Sequence, residues 1–170
     1  MFASPGHGPE LLAITGRIKE LIITAGGENV PPVLIEDAVK AACPMVSNAV
    51  LIGDKRKFLT CLLTLRVLMD PKTLQPTQQL DANCIMALQA IGSIATTLAA
   101  AKADPLVHKA IEEGLKKANS KAASRAQVVQ KFVLLDTDFS VPGGELTGTQ
   151  KLKRNVVSEK YSKEIEALYV

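Results

Sequence analysis

Thr15-Gly16-Arg17-Ile18-Lys19-Glu20-Leu21-Ile22-Ile23-Thr24-Ala25-Gly26-Gly27-Glu28-Asn29-Val30-Pro31 is the stretch whose reading decides the fold. A polar turn leads into a branched apolar run, and a glycine pair ends that run. Residues 20–24 therefore predict a short strand, and residues 25–29 a turn whose glycines supply backbone conformations that other residues resist. Pro32 falls near the first turn of a helix predicted over residues 32–43, with Leu34, Ile35, Ala38, Val39 and Ala42 on one side. Pro44 stops it.

Working outward, residues 46–52 and 58–65 are rich in branched apolar side chains. The polar link Gly53-Asp54-Lys55-Arg56-Lys57 between them predicts a hairpin. Residues 69–77 read as a proline-bearing loop. Two helices follow, at 81–102 and at 105–122; Asp104-Pro105 opens the second, and Leu106, Ala110, Ile111, Leu115 and Ala118 are its apolar or small positions. Residues 131–135 read as a last strand and residues 136–150 as a loop. A closing helix over 151–169 starts basic and turns amphipathic, with Val156, Val157, Tyr161, Ile165 and Leu168 at helical spacing. This mixed order predicts an α+β domain, a small antiparallel or mixed sheet with hairpins packed by about four helices. Residues 1–12 are rich in proline and glycine without a period and read as an irregular leader, so the domain is expected over residues 13–170.

The chain has 170 residues, 47% of them apolar, which is one domain with one ordinary core. Lys and Arg number 20 against 17 Asp and Glu, an excess too small to argue for a nucleic acid or a membrane surface. The short cluster Lys151, Lys153 and Arg154, with few aromatics for stacking, adds little, and no nucleic-acid partner is expected. Cys43, Cys61 and Cys84 are odd in number and lie in apolar surroundings without metal-like spacing, which suits a reducing compartment. His7 and His108 lack metal-like partners and read as surface histidines; no metal ligands are predicted. The start carries neither the basic opening nor the apolar core of a signal peptide, so a cytoplasmic, non-secreted protein is expected. The apolar stretch over 84–101 is interrupted by Gln89, Ser93, Thr96 and Thr97 and reads as a core-facing helix rather than a membrane span.

Gly16-Arg17-Ile18-Lys19-Glu20-Leu21-Ile22-Ile23, followed by Gly26-Gly27-Glu28-Asn29-Val30-Pro31-Pro32 and Ile35-Glu36, resembles the motif that opens the small C-terminal domain of adenylate-forming enzymes, above all the acyl-CoA synthetases. Far downstream, Asp138-Phe139-Ser140-Val141-Pro142-Gly143-Gly144-Glu145-Leu146-Thr147-Gly148-Thr149-Gln150-Lys151-Leu152-Lys153-Arg154 resembles the final motif of long-chain acyl-CoA synthetases. In that motif a Leu-Thr-Pro-Thr-like turn precedes a lysine and a basic helix. With Ala110-Ile111-Glu112-Glu113-Gly114 and Gln130-Lys131-Phe132, the chain is most similar to the bubblegum-type long-chain fatty-acid CoA ligases, from about Ile14 to the end. Gly148 departs from the family's proline, which loosens the turn by about 1 kcal/mol of backbone entropy. No segment resembles the phosphate loop or the Tyr-Gly-x-Thr-Glu-like motif of the large adenylation domain, so that domain is expected as a partner outside this chain.

The resemblance implies a mobile lid domain and a reaction in two halves. A fatty carboxylate attacks the α-phosphate of ATP and releases pyrophosphate; coenzyme A thiol then displaces AMP. ATP, coenzyme A and Mg2+ are thus implied for the complete enzyme, with none bound tightly by this chain alone, and any peripheral contact with the endoplasmic reticulum or another membrane would run through the adenylation domain. Lys151 takes the place of the catalytic lysine, since a lysine on a flexible turn delivers a compact positive charge to a centre developing negative charge; alternatively it is one of several solvated cations. Lys19 matches the hinge about which the lid swings, and Arg17, Gly26, Gly27, Glu28 and Asn29 match the positions facing coenzyme A and the nucleotide. A hairpin turn accounts for the same glycines. A phosphate loop at Gly143-Gly144 through Lys151 fails on spacing, and Asp136, Asp138 and Glu145 read as loop acids rather than a metal site. Two readings stay open: the lid of a fatty-acid CoA ligase, inactive alone, or a non-catalytic regulatory or interaction protein derived from that lid.

Overall fold

The computed structural model describes residues 21–170. The expected leader, and Arg17 and Lys19 of the opening motif, lie outside the described residues. Strand β1 (Ile22–Ile23) pairs antiparallel with β2 (Asn29–Val30). Glu20 of the expected 20–24 strand lies outside the described residues, and the strand ends before Thr24 because the turn closes early: the Gly27 amide donates to the Thr24 carbonyl at 2.9 Å and the Thr24 amide to the Glu28 carbonyl at 3.0 Å. Gly27 holds φ +82°, a left-handed conformation that a side chain would strain.

Helix α1 (Pro32–Ala42) carries proline in its first turn, as expected. Its buried stripe is Pro32, Glu36 and Val39, with Leu34 49% exposed. A carboxylate therefore occupies a core position that the apolar reading of this helix assigned to its neighbours.

The main sheet runs β3–β4–β7, with β3 (Val46–Ile52) antiparallel to β4 (Leu59–Leu65) and β7 (Val129–Leu134) parallel to β4. Every residue of the central strand β4 is buried, because both faces of the sheet are covered. Successive side chains of a strand point to opposite faces, so Cys61 and Leu63 enter one apolar layer with Val39 of α1 and Ile111, while Leu62 joins Val50, Phe139, Val157, Tyr161 and Ile165 in a second. Two cores thus share one strand.

Residues 69–77 are not a plain loop. Val67–Met69 (β5) pairs antiparallel with Pro76–Leu80 (β6), and Asp70 closes the turn by accepting from the amides of Lys72 and Thr73 at 2.8 and 3.2 Å. The polar residues of β6 conceal it in the sequence, and Pro76 is tolerated as the first residue of its strand.

All four predicted helical segments are helical, and two are broken. The 81–102 segment splits into α2 (Ala82–Ala90) and α3 (Leu98–Ala103) because Gly92 turns left-handed at φ +87°, after which Thr97 caps the new helix by accepting from the Ala100 amide at 3.2 Å. Helix α4 (Pro105–Asn119) is capped by Asp104, which accepts from the Leu106 amide at 2.9 Å. It buries Val107, Ile111, Gly114, Leu115 and Ala118, leaving Leu106 exposed. The closing segment starts at Arg154 rather than at 151 and breaks at Tyr161 into α5 (Arg154–Lys160) and α6 (Ser162–Leu168). Among the described residues no helix is long and apolar enough to cross a membrane.

Candidate active-site turn

Residues 145–153 form a miniature hairpin with Lys151 on its returning side. The Lys153 amide donates to the Glu145 carbonyl at 2.8 Å, Leu146 and Leu152 form an antiparallel bridge, and the Thr147 amide donates to the Lys151 carbonyl at 2.8 Å. The Gln150 amide donates to the Thr147 carbonyl at 2.8 Å, and the Lys151 amide to Thr147 Oγ1 at 3.0 Å. The reversal occurs over Gly148, Thr149 and Gln150, all exposed, with Gln150 held at φ +65°. This local order is what sequence reading missed when it assigned residues 136–150 to a loop and let a helix begin at Lys151.

One foot of the hairpin is held by a buried carboxylate. Glu145 is 1% exposed; its Oε1 accepts from Lys160 Nζ at 2.7 Å and from the Tyr161 hydroxyl at 3.0 Å, and its Oε2 from the Ser140 amide at 3.3 Å. Burial pushes this carboxyl up, but the hydrogen bonds from Lys160, its own amide, Tyr161 and Ser140 outweigh it and hold the group below its ordinary value. Burial, then the bond to Glu145, drives the Tyr161 phenol the other way, well above its ordinary value. The glycine pair that suggested a phosphate loop has a different use: a Cβ on Gly143 would sit 2.3 Å from Glu145 Oε2 and 2.8 Å from Ser140 Oγ. The chain needs glycine there to wrap the carboxylate.

The other foot is held by Glu36 of α1. Arg154 donates to it through both terminal nitrogens, at 2.5 and 2.7 Å, and Glu36 Oε1 also accepts from the Leu51 amide of β3 at 2.8 Å. This bidentate, mostly buried pair joins α1, β3 and α5. Only its position in the apolar stripe of α1 could have signalled Glu36 in the sequence; Glu145, between a glycine and a leucine, gave no periodic signal.

Between these anchors Lys151 is exposed, and among the described residues it has no ion-pair partner. It lines a cleft of about 330 Å³ together with Val33, Asp37, Lys40, Asn48 and Gln150. Lys153 opens instead on a separate cleft of about 830 Å³ with Arg56, Ser158 and Glu166. The two lysines therefore face different spaces, although they belong to an extended segment and not to the helix first expected there. An exposed ammonium on a small anchored turn can meet an anion presented from outside this chain; nothing within the described residues neutralises it.

The Gly26-Gly27 turn is exposed, with no atom within 4 Å of a Cβ placed on Gly27. Backbone of a ligand or partner can approach it closely. Its base is tied down, the Ala25 amide donating to the Arg56 carbonyl at 2.9 Å and Ser124 Oγ to Glu28 Oε2 at 3.3 Å. Asn29, exposed, lies on β2 beside it. The three loop acids all have partners: Asp136 pairs with Lys102, Asp138 Oδ1 accepts from Asn48 Nδ2 at 2.9 Å and from the Phe139 amide at 2.7 Å, and Glu145 is held as above. Among the described residues no group of three His, Cys, Asp or Glu could hold a metal ion. His108 is half-buried rather than superficial, its Nε2 2.6 Å from the Lys102 carbonyl. The three cysteines are free and buried, and burial lifts the thiols of Cys43 and Cys84 to about 11 and raises that of Cys61 well above its ordinary value, so none is a poised nucleophile.

Comparison with known proteins gives this turn its context. The family model for the AMP-binding enzyme C-terminal domain matches residues 19–83 and 87–170. The chain is 53% identical over 160 residues to long-chain-fatty-acid–CoA ligase ACSBG1 of Homo sapiens, covering 93% of this chain and 22% of that protein. It is also 53% identical over 158 residues to long-chain-fatty-acid–CoA ligase ACSBG2 of Gallus gallus, covering 92% and 21%. The fold is shared with the A domain of carboxylic acid reductase from Segniliparus rugosus, solved with AMP and a co-purified carboxylic acid, at TM-score 0.65 and 21% identity over 95% of this chain and 21% of that one. The chain thus spans about a fifth of the length of the relatives it matches.

Proposed function

This chain belongs to the family of AMP-binding enzyme C-terminal domains, and from that premise we propose that it acts as the mobile lid of a long-chain fatty-acid CoA ligase, working with an adenylation domain and inactive without one. Lys151 supplies positive charge to the α-phosphate region while the fatty carboxylate attacks ATP. After the lid turns about Lys19, the Gly26-Gly27 loop, with Glu28, Asn29 and Arg17, faces the nucleotide and the coenzyme A arm for thioester formation. The adenylation domain contributes the fatty-acid and ATP sites, any Mg2+ ligands and any membrane contact, in the cytoplasm. The observation that carries this reading is Lys151 itself, exposed and without an ion-pair partner among the described residues, on a hairpin anchored at both feet.

The test uses the chain joined to the adenylation domain of a bubblegum-type relative. A unit charge about 4 Å from the phosphate in a medium of effective dielectric near 20 is worth up to ~4 kcal/mol. Lys151→Ala is therefore expected to slow acyl-adenylate formation by roughly 10²–10³, while thioester formation from supplied acyl-adenylate changes far less. Lys153→Ala, facing the other cleft, is expected to cost less than about tenfold on the same scale. Equal damage by the two substitutions, or equal loss in both half-reactions for Lys151→Ala, would overturn the assignment.

A further inference from the structure

We infer that Glu145 and Glu36 are positioning residues for Lys151, two buried carboxylates that clamp the opposite feet of the lysine hairpin to different layers of the domain. The inference rests on the reading of Lys151 given above and adds the groups that aim it.

The hairpin is too small to hold its own shape. Its inner contacts are the Glu145–Lys153, Thr147–Lys151 and Gln150–Thr147 backbone bonds, the Leu146–Leu152 bridge and the Thr147 hydroxyl, which accepts from the Lys151 amide and meets the Thr149 hydroxyl, and an isolated two-stranded ribbon is marginal even at greater length. Its tip has little to lean on: Gly148, Thr149 and Gln150 are exposed, and no atom lies within 4 Å of a Cβ placed on Gly148. The direction of Lys151 is thus set below the tip, by Leu146 and Leu152, which pack into the second core, and by the charged groups at the feet. Glu145 ties the outgoing strand to the junction of α5 and α6 through Lys160 and Tyr161. Arg154, three residues beyond Lys151, ties the returning strand to Glu36, whose Oε1 is also fixed by the Leu51 amide. Each clamp is charge-assisted, and both carboxylates are buried, Glu145 at 1% and Glu36 at 6% exposure, so neither bond competes freely with water. One clamp faces each side of the β3–β4–β7 sheet, because α1 and α5–α6 pack on opposite layers. A lysine held between two cores keeps one bearing while the whole domain moves as a body.

The experiment again uses the chain joined to an adenylation domain, with Glu145→Gln and Glu36→Gln, which keep size and remove charge. Misplacement of a reacting group by about 1 Å can cost on the order of 10²-fold, so each variant is expected to slow acyl-adenylate formation roughly tenfold. Thioester formation from supplied acyl-adenylate is expected to stay within about twofold, since Lys151 is not at the reaction centre in that step. Added to Lys151→Ala, either substitution is expected to cause no further slowing, as residues acting through one lysine are not additive. Amide hydrogen exchange at Thr147 and Lys151 is expected to rise while that of β4 stays slow. Unchanged adenylation in folded Glu145→Gln and Glu36→Gln, an equal loss in both half-reactions, or full slowing on top of Lys151→Ala would overturn the inference. Should a Gln variant not fold, Tyr161→Phe removes one donor to Glu145 and leaves its ion pair, and the same exchange and additivity readouts apply. If Lys151→Ala is itself harmless, the lysine reading falls and this inference with it; if Lys151→Ala is damaging and the clamps are not, only the inference falls.

Discussion

Glu145 shows how much one residue can settle. Its folded ionisation lies below the ordinary 4.5, so the stability it contributes is present above that pH and is lost as pH falls through the folded value. Tyr161 works from the other side. Its folded value is raised from 10, so the stability tied to the neutral phenol is complete below pH 10 and declines as pH rises beyond it. Tyr161→Phe is expected to flatten that alkaline decline, measured by urea unfolding at pH 8 to 11; an equally steep decline in the variant would contradict it. Gly143→Ala is the complementary case. Glu145 Oε2, 2.3 Å from the new Cβ, ends a side chain locked by its donors and cannot swing away cheaply. A loss of about 1–3 kcal/mol is expected, as for an overpacked core, read from the shift in the denaturation midpoint. Neither role was legible in the sequence. A lone Glu in a Gly- and Thr-rich stretch reads as solvated, and only its donors from Ser140, Lys160 and Tyr161 make it a core residue.

At the scale of elements, the long periodic segments were read well and their interruptions were not. Helix α1 and the β3–β4 hairpin stand close to their expected bounds, because Pro32, Pro44 and the polar link 53–57 punctuate them locally. The breaks at Gly92 and Tyr161 follow from where the next segment must pack, and apolar spacing continues across both. The lysine hairpin is the third such case. Its tip offers a test of the family departure at Gly148: φ there is not left-handed and a side chain meets no atom within 4 Å. Gly148→Pro is therefore expected to stabilise the fold by about 0.4–1 kcal/mol by restricting the unfolded chain, checked by thermal or urea unfolding. Destabilisation would show that the hairpin needs the freedom of glycine.

At the scale of the whole molecule, one sheet serves two cores. Leu62 is fully buried in the layer that carries α5 and α6, while its neighbours Cys61 and Leu63 belong to the other layer. Leu62→Ala is expected to cost about 2–5 kcal/mol, with hydrogen-exchange protection lost first in α5 and α6, next to the lysine hairpin. Uniform loss across both layers would mean that the two cores unfold as one. The isolated chain is expected to show no fatty-acid-dependent pyrophosphate release, because its exposed lysine has no phosphate loop or acyl pocket to work against. Measurable release from the pure protein would sink the lid reading.

What the sequence by itself determined was the family, the α+β class, the order of the principal strands and helices, and the identity of the candidate lysine. These are written in contiguous motifs and local periods, where each residue's meaning depends on near neighbours. The tertiary structure alone decided that β7 lies parallel to β4, that residues 67–80 form a further hairpin, and that Glu36 and Glu145 are buried partners of Arg154 and Lys160. Glu36 and Arg154 stand 118 positions apart. Whether such a carboxylate is a solvated loop charge or a clamp depends on which cation and which amides the fold delivers to it. Desolvation and pairing are properties of that meeting and of no single stretch of chain.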